Sequence, residues 1–202
     1  QYKDAINYFE PEENENLNDR TIAYINSLLY GLEIDSAITY LDEIILDVDT
    51  NHKYFNDLFE IHDLITNYYS DGTKDDKIAF KLFFQSESLI NEYKIKEAIE
   101  ILEGIRFNHS DAMIYPTATL RLAVLSIDLM QYEKSIQYAL AMENTNLKDK
   151  GLTLAAEIEE NYLGDNESAL KYYYRVLSEC STSLLADPVR IHVRKISKPR
   201  ES

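Results

Sequence analysis

The sequence predicts an all-α protein built from repeated pairs of helices. Two observations support this class: the 202 residues include only five Gly and four Pro, and one eight-residue phrase recurs along the chain. A β-barrel or β-sandwich needs many tight turns rich in Gly and Pro, so these low counts favour helix. With 45% hydrophobic and 28% charged residues, the composition is that of an ordinary globular protein.

The recurring phrase has a small residue at its centre, followed by Ile or Leu. Its copies read YKDAINYF at 2–9, IDSAITYL at 34–41, IKEAIEIL at 95–102, YEKSIQYA at 132–139 and NESALKYY at 166–173, and the small residues are Ala5, Ala37, Ala98, Ser135 and Ala169. The intervals between the small residues are 32, 61, 37 and 34 residues. Recurrence at such intervals indicates a stacked structural repeat.

Each phrase is predicted to form the second helix of a helix–turn–helix unit. A small residue lets two helices approach closely, and the apolar residue about one turn later returns to the same face. An apolar-periodic stretch of helical length, followed by a short turn, precedes four of the copies. The turns fall at 30–32, 91–92, 130–131 and 163–165.

This unit resembles the tetratricopeptide repeat, a helix pair of 34 residues with a small residue at position 20. Counting back from Ala37 places position 1 at Asn18, and the unit that begins at Lys150 fits best, with Ala156 and Ala169 at signature positions. The chain departs from the pattern in having no Trp, no Gly at position 8 and no closing Pro. The resemblance covers nearly the whole chain and implies a right-handed α-α superhelix of degenerate repeats.

The C-terminal segment extends this likeness. Residues 169–196 are similar to the last unit of bacterial tetratricopeptide proteins, in which a final amphipathic helix bears Ala and Arg after a Ser-containing turn. Ala186, Arg190 and Arg194 match that pattern. The resemblance therefore implies a bacterial protein and favours a periplasmic or cell-envelope location over the cytoplasm.

The pattern predicts about eleven helices. They are expected at 2–9, 18–30, 34–47, 52–70, 75–92, 95–107, 115–130, 132–143, 149–162, 166–179 and 184–196. The 61-residue interval holds more than one unit and fewer than two, so we expect two long helices there, joined by residues 70–73.

The irregular centre suggests a division of the chain. Residues 1–50 are predicted to form N-terminal repeats and residues 51–202 a C-terminal array with a capping helix at 184–196; the alternative is one continuous solenoid. The first copy is only half a unit. Because a single helix of a pair cannot bury its apolar face alone, we expect the chain to continue upstream of Gln1 or this helix to pack on something else.

The charge is strongly negative and unevenly placed. The net charge is −16, yet the residues from Val189 onward carry +4 and the rest −20. An acidic body repels phosphate backbones, which disfavours nucleic acid as a partner. The basic end is interpreted as a solvated helix, with a nucleic-acid or lipid contact as the alternative. No apolar run approaches the roughly 18 residues needed to span a bilayer.

The sequence shows no motif for catalysis, a metal or a cofactor, so we expect none of these. The segment that begins at Asp47 starts like a calcium loop, but His52 and Leu58 stand where Gly and Glu are needed. The four His are scattered, and the lone Cys180 forms no internal disulfide. No nucleophile elbow or phosphate loop occurs. The pair Glu159-Glu160 is interpreted as a solvated helix face.

The resemblance also places a partner on the concave face lined by the first helices of the units. The candidate groove residues are Asn26, Leu29, Phe83, Glu87, Leu120, Val124, Asp128, Ile158 and Asn161. The family's clamp for a terminal carboxylate is not expected, because Ile22 stands where the clamp needs Lys. The mixed apolar and acidic lining predicts an amphipathic or basic peptide segment instead. The 16 Tyr residues are interpreted chiefly as packing between helices, with peptide capture as the alternative.

The leading functional hypothesis is a non-catalytic protein–protein interaction scaffold, part of a longer envelope-associated protein. Two alternatives stay open. One is a regulatory sensor that binds a peptide and changes its superhelical pitch at the irregular centre. The other is an accessory region of an enzyme whose catalytic domain lies outside these residues.

Overall fold

The computed structural model describes residues 2–11 and 17–197, and these residues form helices without any strand. The predicted all-α class is therefore confirmed. The helices are α1 (Tyr2–Phe9), α2 (Asp19–Tyr30), α3 (Ile34–Ile45), α4 (Phe55–Ile65), α5 (Lys74–Asn91), α6 (Ile95–Asn108), α7 (Tyr115–Asp128), α8 (Tyr132–Ala141), α9 (Lys148–Ile158), α10 (Asn166–Glu179) and α11 (Ala186–Ile196). Two π-helical turns, Thr66–Ser70 and Glu159–Leu163, continue α4 and α9.

The chain divides into two compact units, Gln1–Ile114 and Tyr115–Ser202. In the first unit α1 packs on α2, α2 on α3, α3 on α4 and α5 on α6, and α2 also contacts α5. In the second unit each helix from α7 to α11 packs on the next. Packing between sequence neighbours is the arrangement of a helical-repeat solenoid. The predicted division after residue 50 lies within the first unit, between α3 and α4, and stays a prediction.

The turns inside the helix pairs share one backbone geometry. Each contains one residue with left-handed φ: Leu32 (64°), Tyr93 (60°), Met130 (57°) and Gly164 (70°). Every one of them lies five residues before the small residue of its phrase. The repeat visible in the sequence is thus also a repeat of backbone conformation.

Hydrogen bonds close three of these turns as Schellman motifs. The N–H of Leu32 donates to the Leu29 carbonyl (3.1 Å), and the next N–H, of Glu33, donates to Leu28 (2.9 Å). The same two bonds recur after α5, from Tyr93 and Lys94, and after α7, from Met130 and Gln131. Only Gly164 accepts a left-handed φ without a Cβ clash, so the other three turns are strained by about 1–2 kcal/mol each.

The small residues are buried where helix pairs meet. Ala37, Ala98, Ser135 and Ala169 are each 0% exposed. Ser135 satisfies its hydroxyl by donating to the Ala123 carbonyl at 2.7 Å, so a polar residue is tolerated at this position. Ala5 is only partly buried, and α1 buries none of its residues.

The loops between helix pairs also repeat, although their sequences differ. In each loop, one residue lies three positions before the start of the next helix. Its backbone N–H donates to the carbonyl of the residue three positions before it in the sequence. These bonds join His52 to Asp49 (2.8 Å), Ala112 to His109 (3.1 Å), Thr145 to Met142 (3.0 Å) and Ser183 to Cys180 (2.9 Å). By this criterion α4, α7, α9 and α11 each begin as the first helix of a pair.

The centre departs from the repeat as the sequence predicted. α4 ends in a π-helical turn instead of a left-handed residue, and α5 is a long helix of 18 residues. Gly72 is required between them because a Cβ there would lie 2.8 Å from the Asp76 Cβ and 3.0 Å from the Tyr68 carbonyl oxygen. The first unit buries Leu58, Ile65 and Phe80 completely around this irregular segment.

Buried Asp76 anchors this centre. Its carboxylate accepts hydrogen bonds from the N–H and hydroxyl of Thr73 (2.9 and 2.7 Å) and from the N–H of Met113 (2.8 Å). Burial alone would raise the pKa of Asp76, but these hydrogen bonds lower it below its ordinary value. The carboxylate thereby ties the start of α5 to the loop that ends the first unit.

The second unit has an apolar core shared by its last three helices. The buried members are Leu152, Ala156, Ala169, Tyr173, Val176, Val189 and Val193. On α11, Val189 and Val193 face α10, whereas Arg190 and Arg194 are exposed. This amphipathic division is the one predicted for a capping helix.

Candidate functional site

The predicted groove residues fall into a buried and an accessible group. Leu29, Phe83 and Ile158 are 2%, 8% and 0% exposed, because they fill contacts between helices and leave no surface for a partner. The other six, Asn26, Glu87, Leu120, Val124, Asp128 and Asn161, are partly or fully exposed. A partner surface along the first helices therefore stays a prediction that rests on these six.

The structure separates these residues between the two units. In the first unit Asn26 on α2 and Glu87 on α5 lie on helices that contact each other. In the second unit Leu120, Val124 and Asp128 lie on α7, and Asn161 lies in the π-helical turn after α9. Of the nine predicted residues, only Asn161 lines the groove described next.

The strongest candidate site is a groove of about 380 Å³ in the second unit. We call it the α9/α11 groove, because α9 and its π-helical turn form one wall and α11 with the preceding Leu185 forms the other. Its lining residues are Thr153, Glu157, Asn161, Tyr173, Leu185, Pro188, Val189, Ile191, His192 and Lys195. This volume lies in the range of roughly 300–1,000 Å³ typical of ligand sites.

A hydrogen-bonded cluster joins the three helices at this groove. The Tyr173 hydroxyl on α10 donates to Glu160 Oε2 at 3.0 Å, and His192 Nε2 on α11 lies 2.7 Å from the same oxygen. Because an ionised carboxylate only accepts hydrogen bonds, Nε2 carries the proton. The His192 and Tyr173 rings also meet edge to face at 5.3 Å.

The buried tyrosine of this cluster is held in its protonated form. Burial raises the pKa of Tyr173 far above its ordinary value, and the hydrogen bond to Glu160 raises it further. Tyr173 therefore stays a hydrogen-bond donor over the whole accessible pH range. The Glu160 side chain is 16% exposed, so its interpretation as part of a solvated face was wrong.

A π-helical turn follows Glu157 almost directly and contains Glu160. Glu157 and Glu160 are three residues apart and would lie on one face of a regular helix. The wider turn begins at Glu159 and closes with the Asp165 N–H donating to the Glu159 carbonyl at 2.8 Å. Asn161 in this turn stays exposed beside the groove. Such π-helical insertions are frequent at functional sites.

Glu157 differs from Glu160 in having no partner. Among the described residues, it makes neither a hydrogen bond nor an ion pair. Glu157 is exposed as a residue, yet the protein atoms around its carboxyl group raise its pKa through desolvation. Nearby His192 lowers the pKa of Glu157, and Glu160 raises it further. The groove thus contains a carboxylate that receives no hydrogen bond or ion pair from residues 2–11 and 17–197.

The opposite wall is mainly apolar. Pro188 and Ile191 on α11 are exposed, Ile191 by 56%, and Leu185 is half-buried beside them. Lys195 lies farther along the same helix and is not among the charges that shift the pKa of Glu157. A carboxylate facing an apolar wall can bind an amphipathic segment that carries a positive charge.

The first unit contains a wider depression of about 840 Å³. It is bordered by α1 and by the turns after α2 and α5. Tyr2 lies in this depression. Its hydroxyl donates a hydrogen bond to the Ser88 carbonyl at 3.3 Å, and its ring centroid is 5.9 Å from that of Tyr30. The charged lining of the depression includes Glu92 and Lys94, which pair with each other at 2.6 Å. The α9/α11 groove is the better candidate because it combines an apolar wall with the Glu157 carboxylate, which no described residue contacts as a hydrogen-bond donor.

Sequence reasoning identified Asn161 but missed Glu157, Glu160 and His192 as a group. The spacing of the two Glu residues is readable from the sequence. His192 lies 32 residues from Glu160, and only the packing of α11 on α10 brings it to that carboxylate. No local pattern signals such a pairing.

Within residues 2–11 and 17–197, no three His, Cys, Asp or Glu side chains form a group that could hold a metal ion. None of the helices in that part of the chain is long and apolar enough to cross a bilayer. No known family model, curated protein or solved structure matches this chain significantly.

Proposed function

We propose that this chain is a non-catalytic protein-interaction scaffold of the tetratricopeptide type. The observation that carries the proposal is the α9/α11 groove, in which two first helices of consecutive units present apolar and acidic side chains over Tyr173. The shared left-handed turns and the shared loops between pairs support a repeat architecture. Stacked helix pairs create extended binding surfaces of this kind.

The partner segment is an amphipathic peptide that lies along the groove. Its apolar residues pack against Pro188 and Ile191, and its polar residues meet Glu157 and Asn161. Peptide recognition by a preformed groove costs little reorganisation, because Val189 and Tyr173 are fixed in the core. This function requires no chemistry from the cluster around Glu160.

A direct binding experiment tests the scaffold function. A library of fluorescein-labelled amphipathic peptides is titrated with the full chain, and binding is followed by fluorescence anisotropy. The variant Asn161→Trp fills the groove from an exposed position, and Asn146→Trp places the same bulk on an exposed residue outside the lining.

We expect saturable binding of some peptides, at least tenfold weaker for Asn161→Trp and unchanged for Asn146→Trp. Circular dichroism checks that both variants stay folded. Absence of saturable binding across the library would overturn the proposal. Equal loss in the two variants would show that binding does not use this groove.

A further inference from the structure

Glu157, which lines the α9/α11 groove, and Glu160, which lies beside it, have carboxylates in opposite situations. Glu160 Oε2 is contacted by two donors, the Tyr173 hydroxyl at 3.0 Å and His192 Nε2 at 2.7 Å. Glu157 lies one helical turn earlier and has no donor among the described residues. Glu160 is therefore a structural group that fixes α10 and α11, and Glu157 is the carboxylate available to a ligand.

Its position in the groove, opposite an apolar wall, together with the desolvation of its carboxyl group, makes Glu157 suited to a cation. Protein atoms around its carboxyl group disfavour the charged form, and Glu160 adds like-charge repulsion. A carboxylate in this situation gains from any positively charged donor placed against it, since charge-assisted hydrogen bonds are stronger than neutral ones. The charged or titratable groups around it are Glu160 in the π-helical turn, Tyr173 on α10, and His192 and Lys195 on α11.

The surroundings of Glu157 define the rest of the ligand. Exposed Pro188 and Ile191 and half-buried Leu185 offer apolar surface across the groove. Lysine and arginine side chains combine an aliphatic stem with a charged head. Such a side chain suits a groove in which a carboxylate faces an apolar wall.

We propose that Glu157 selects a Lys or Arg side chain of the bound peptide, whose neighbouring apolar residues lie against Pro188 and Ile191. This inference rests on the proposed scaffold function, because it names the feature that the groove recognises. Glu160, His192 and Tyr173 act as positioning residues that hold the walls in place. The ligand is a peptide, because the groove presents the apolar side chains of Leu185, Pro188 and Ile191 in addition to the Glu157 carboxylate.

The test uses peptides that differ at one position only. A labelled peptide with a Leu and Ala framework carries Lys, Arg, norleucine or Glu at its central position. Each is titrated with the full chain and with three variants: Glu157→Gln, Glu133→Gln and Lys195→Met. Glu133 is an exposed acid on α8 outside the groove, so Glu133→Gln is the matched control for lost negative charge.

The proposal predicts that the Lys and Arg peptides bind about tenfold more tightly than the norleucine peptide. This preference disappears in Glu157→Gln, persists in Glu133→Gln and does not weaken in Lys195→Met. Circular dichroism establishes that Glu157→Gln, a change at an exposed residue, leaves the fold intact.

Different failures separate the two proposals. If norleucine and Lys peptides bind the unmodified chain equally well, cation selection is wrong while the scaffold function stands. If no peptide binds, the scaffold function falls and the selection with it. If free spermidine displaces the Lys peptide and stabilises the chain at equal concentration, the site takes a free polyamine and the peptide assignment is overturned.

Discussion

The first unit, Gln1–Ile114, carries nine Lys and Arg against 24 Asp and Glu, whereas the second, Tyr115–Ser202, carries 11 against 12. Their net charges are therefore −15 and −1. Both units nevertheless build their helix pairs with a left-handed residue five positions before a buried small residue. A few positions fix the geometry of a pair, and the surface charge varies independently.

The units also differ in regularity. The second unit alternates first and second helices without interruption, and its candidate groove forms between two first helices. The first unit contains α4, which begins like the first helix of a pair but leads into α5 through a π-helical turn and Gly72. Both units thus form helix pairs with the same left-handed turn. The candidate groove lies in the unit whose helix pairs follow one another without interruption.

The largest expected effect comes from breaking the close approach of α8 and α9 at Gly151 in the second unit. A Cβ at Gly151 would lie 2.3 Å from the Ala139 carbonyl oxygen. Because backbone must move to admit it, Gly151→Ala should destabilise the chain by about 3 kcal/mol. Urea unfolding followed by circular dichroism measures this change.

The matched substitution in the first unit has the opposite sign. Nothing lies within 4 Å of a Cβ at Gly104 on α6. Gly104→Ala should stabilise by roughly 0.5–1 kcal/mol, since alanine lowers the entropy lost on helix formation. Equal effects of the two substitutions would contradict the close approach of α8 and α9.

Two further substitutions change the left-handed turn residue of one helix pair in each unit. Tyr93 has φ 60° and a side chain that is 92% exposed, so Tyr93→Gly relieves strain and loses almost no contact. We expect a gain of about 0.5–1 kcal/mol, the strain of a left-handed residue less the extra entropy of glycine in the unfolded chain.

Gly164→Ala is the reciprocal change. It has φ 70° and no atom within 4 Å of an added Cβ, so the expected loss of about 1 kcal/mol is purely conformational. Thermal unfolding of both variants tests the pair. A loss in Tyr93→Gly would mean that its side chain contributes contacts despite its exposure.

Ionic strength should distinguish the units by their charge. Raising salt from about 0.01 to 0.15 M shortens the Debye length from roughly 30 to 8 Å. Self-repulsion in the acidic first unit then weakens, and slowly exchanging amides of α5 and α6 should gain about 0.5 kcal/mol more protection than those of α9 and α10. Hydrogen exchange read by mass spectrometry resolves this. Identical gains would exclude charge as the difference.

The smallest expected effect is a pH dependence in the second unit. Glu179 accepts a hydrogen bond from Arg175 Nε at 2.7 Å and pairs with Lys148 at 2.8 Å. These contacts lower the pKa of Glu179 from its ordinary 4.5 to about 2. Its stabilising contribution is therefore full above pH 4.5 and is lost as the pH falls towards 2.

The variant Glu179→Gln removes this titration. Unmodified and variant chains should differ in thermal stability above pH 4.5 and converge near pH 2. Glu133→Gln, which removes an exposed acid on α8, is measured in parallel as the control for the loss of one carboxylate. A constant difference between the unmodified chain and Glu179→Gln over this range would contradict the lowered pKa.

The helices were readable from the sequence because their signals are local. Ala37, Ala98 and Ala169 mark second helices, and the turns before them lie within a residue or two of the observed left-handed positions. The shared loop between pairs was not readable. Its defining bonds join backbone atoms of unlike residues, such as Ala112 to His109 and Ser183 to Cys180.

The candidate site was readable only in part for a related reason. Asn161 was found because it occupies a repeat position. The pairing of Glu160 with His192 depends on how far α11 slides along α10, and Val189 and Val193 set that register through packing. The buried state of Leu29 and Phe83 likewise follows from contacts between helices and not from position within a unit.

The backbone loop between helix pairs makes each pair an exchangeable module. Residues 115–147 begin after the bond from Ala112 to His109 and end with the one from Thr145 to Met142. A second copy of this stretch, inserted before Lys148, would be connected at both of its ends by a loop with this same backbone hydrogen bond. The chain could therefore be lengthened by gene duplication without designing a new junction, provided that the added surfaces of α7 and α8 fit each other.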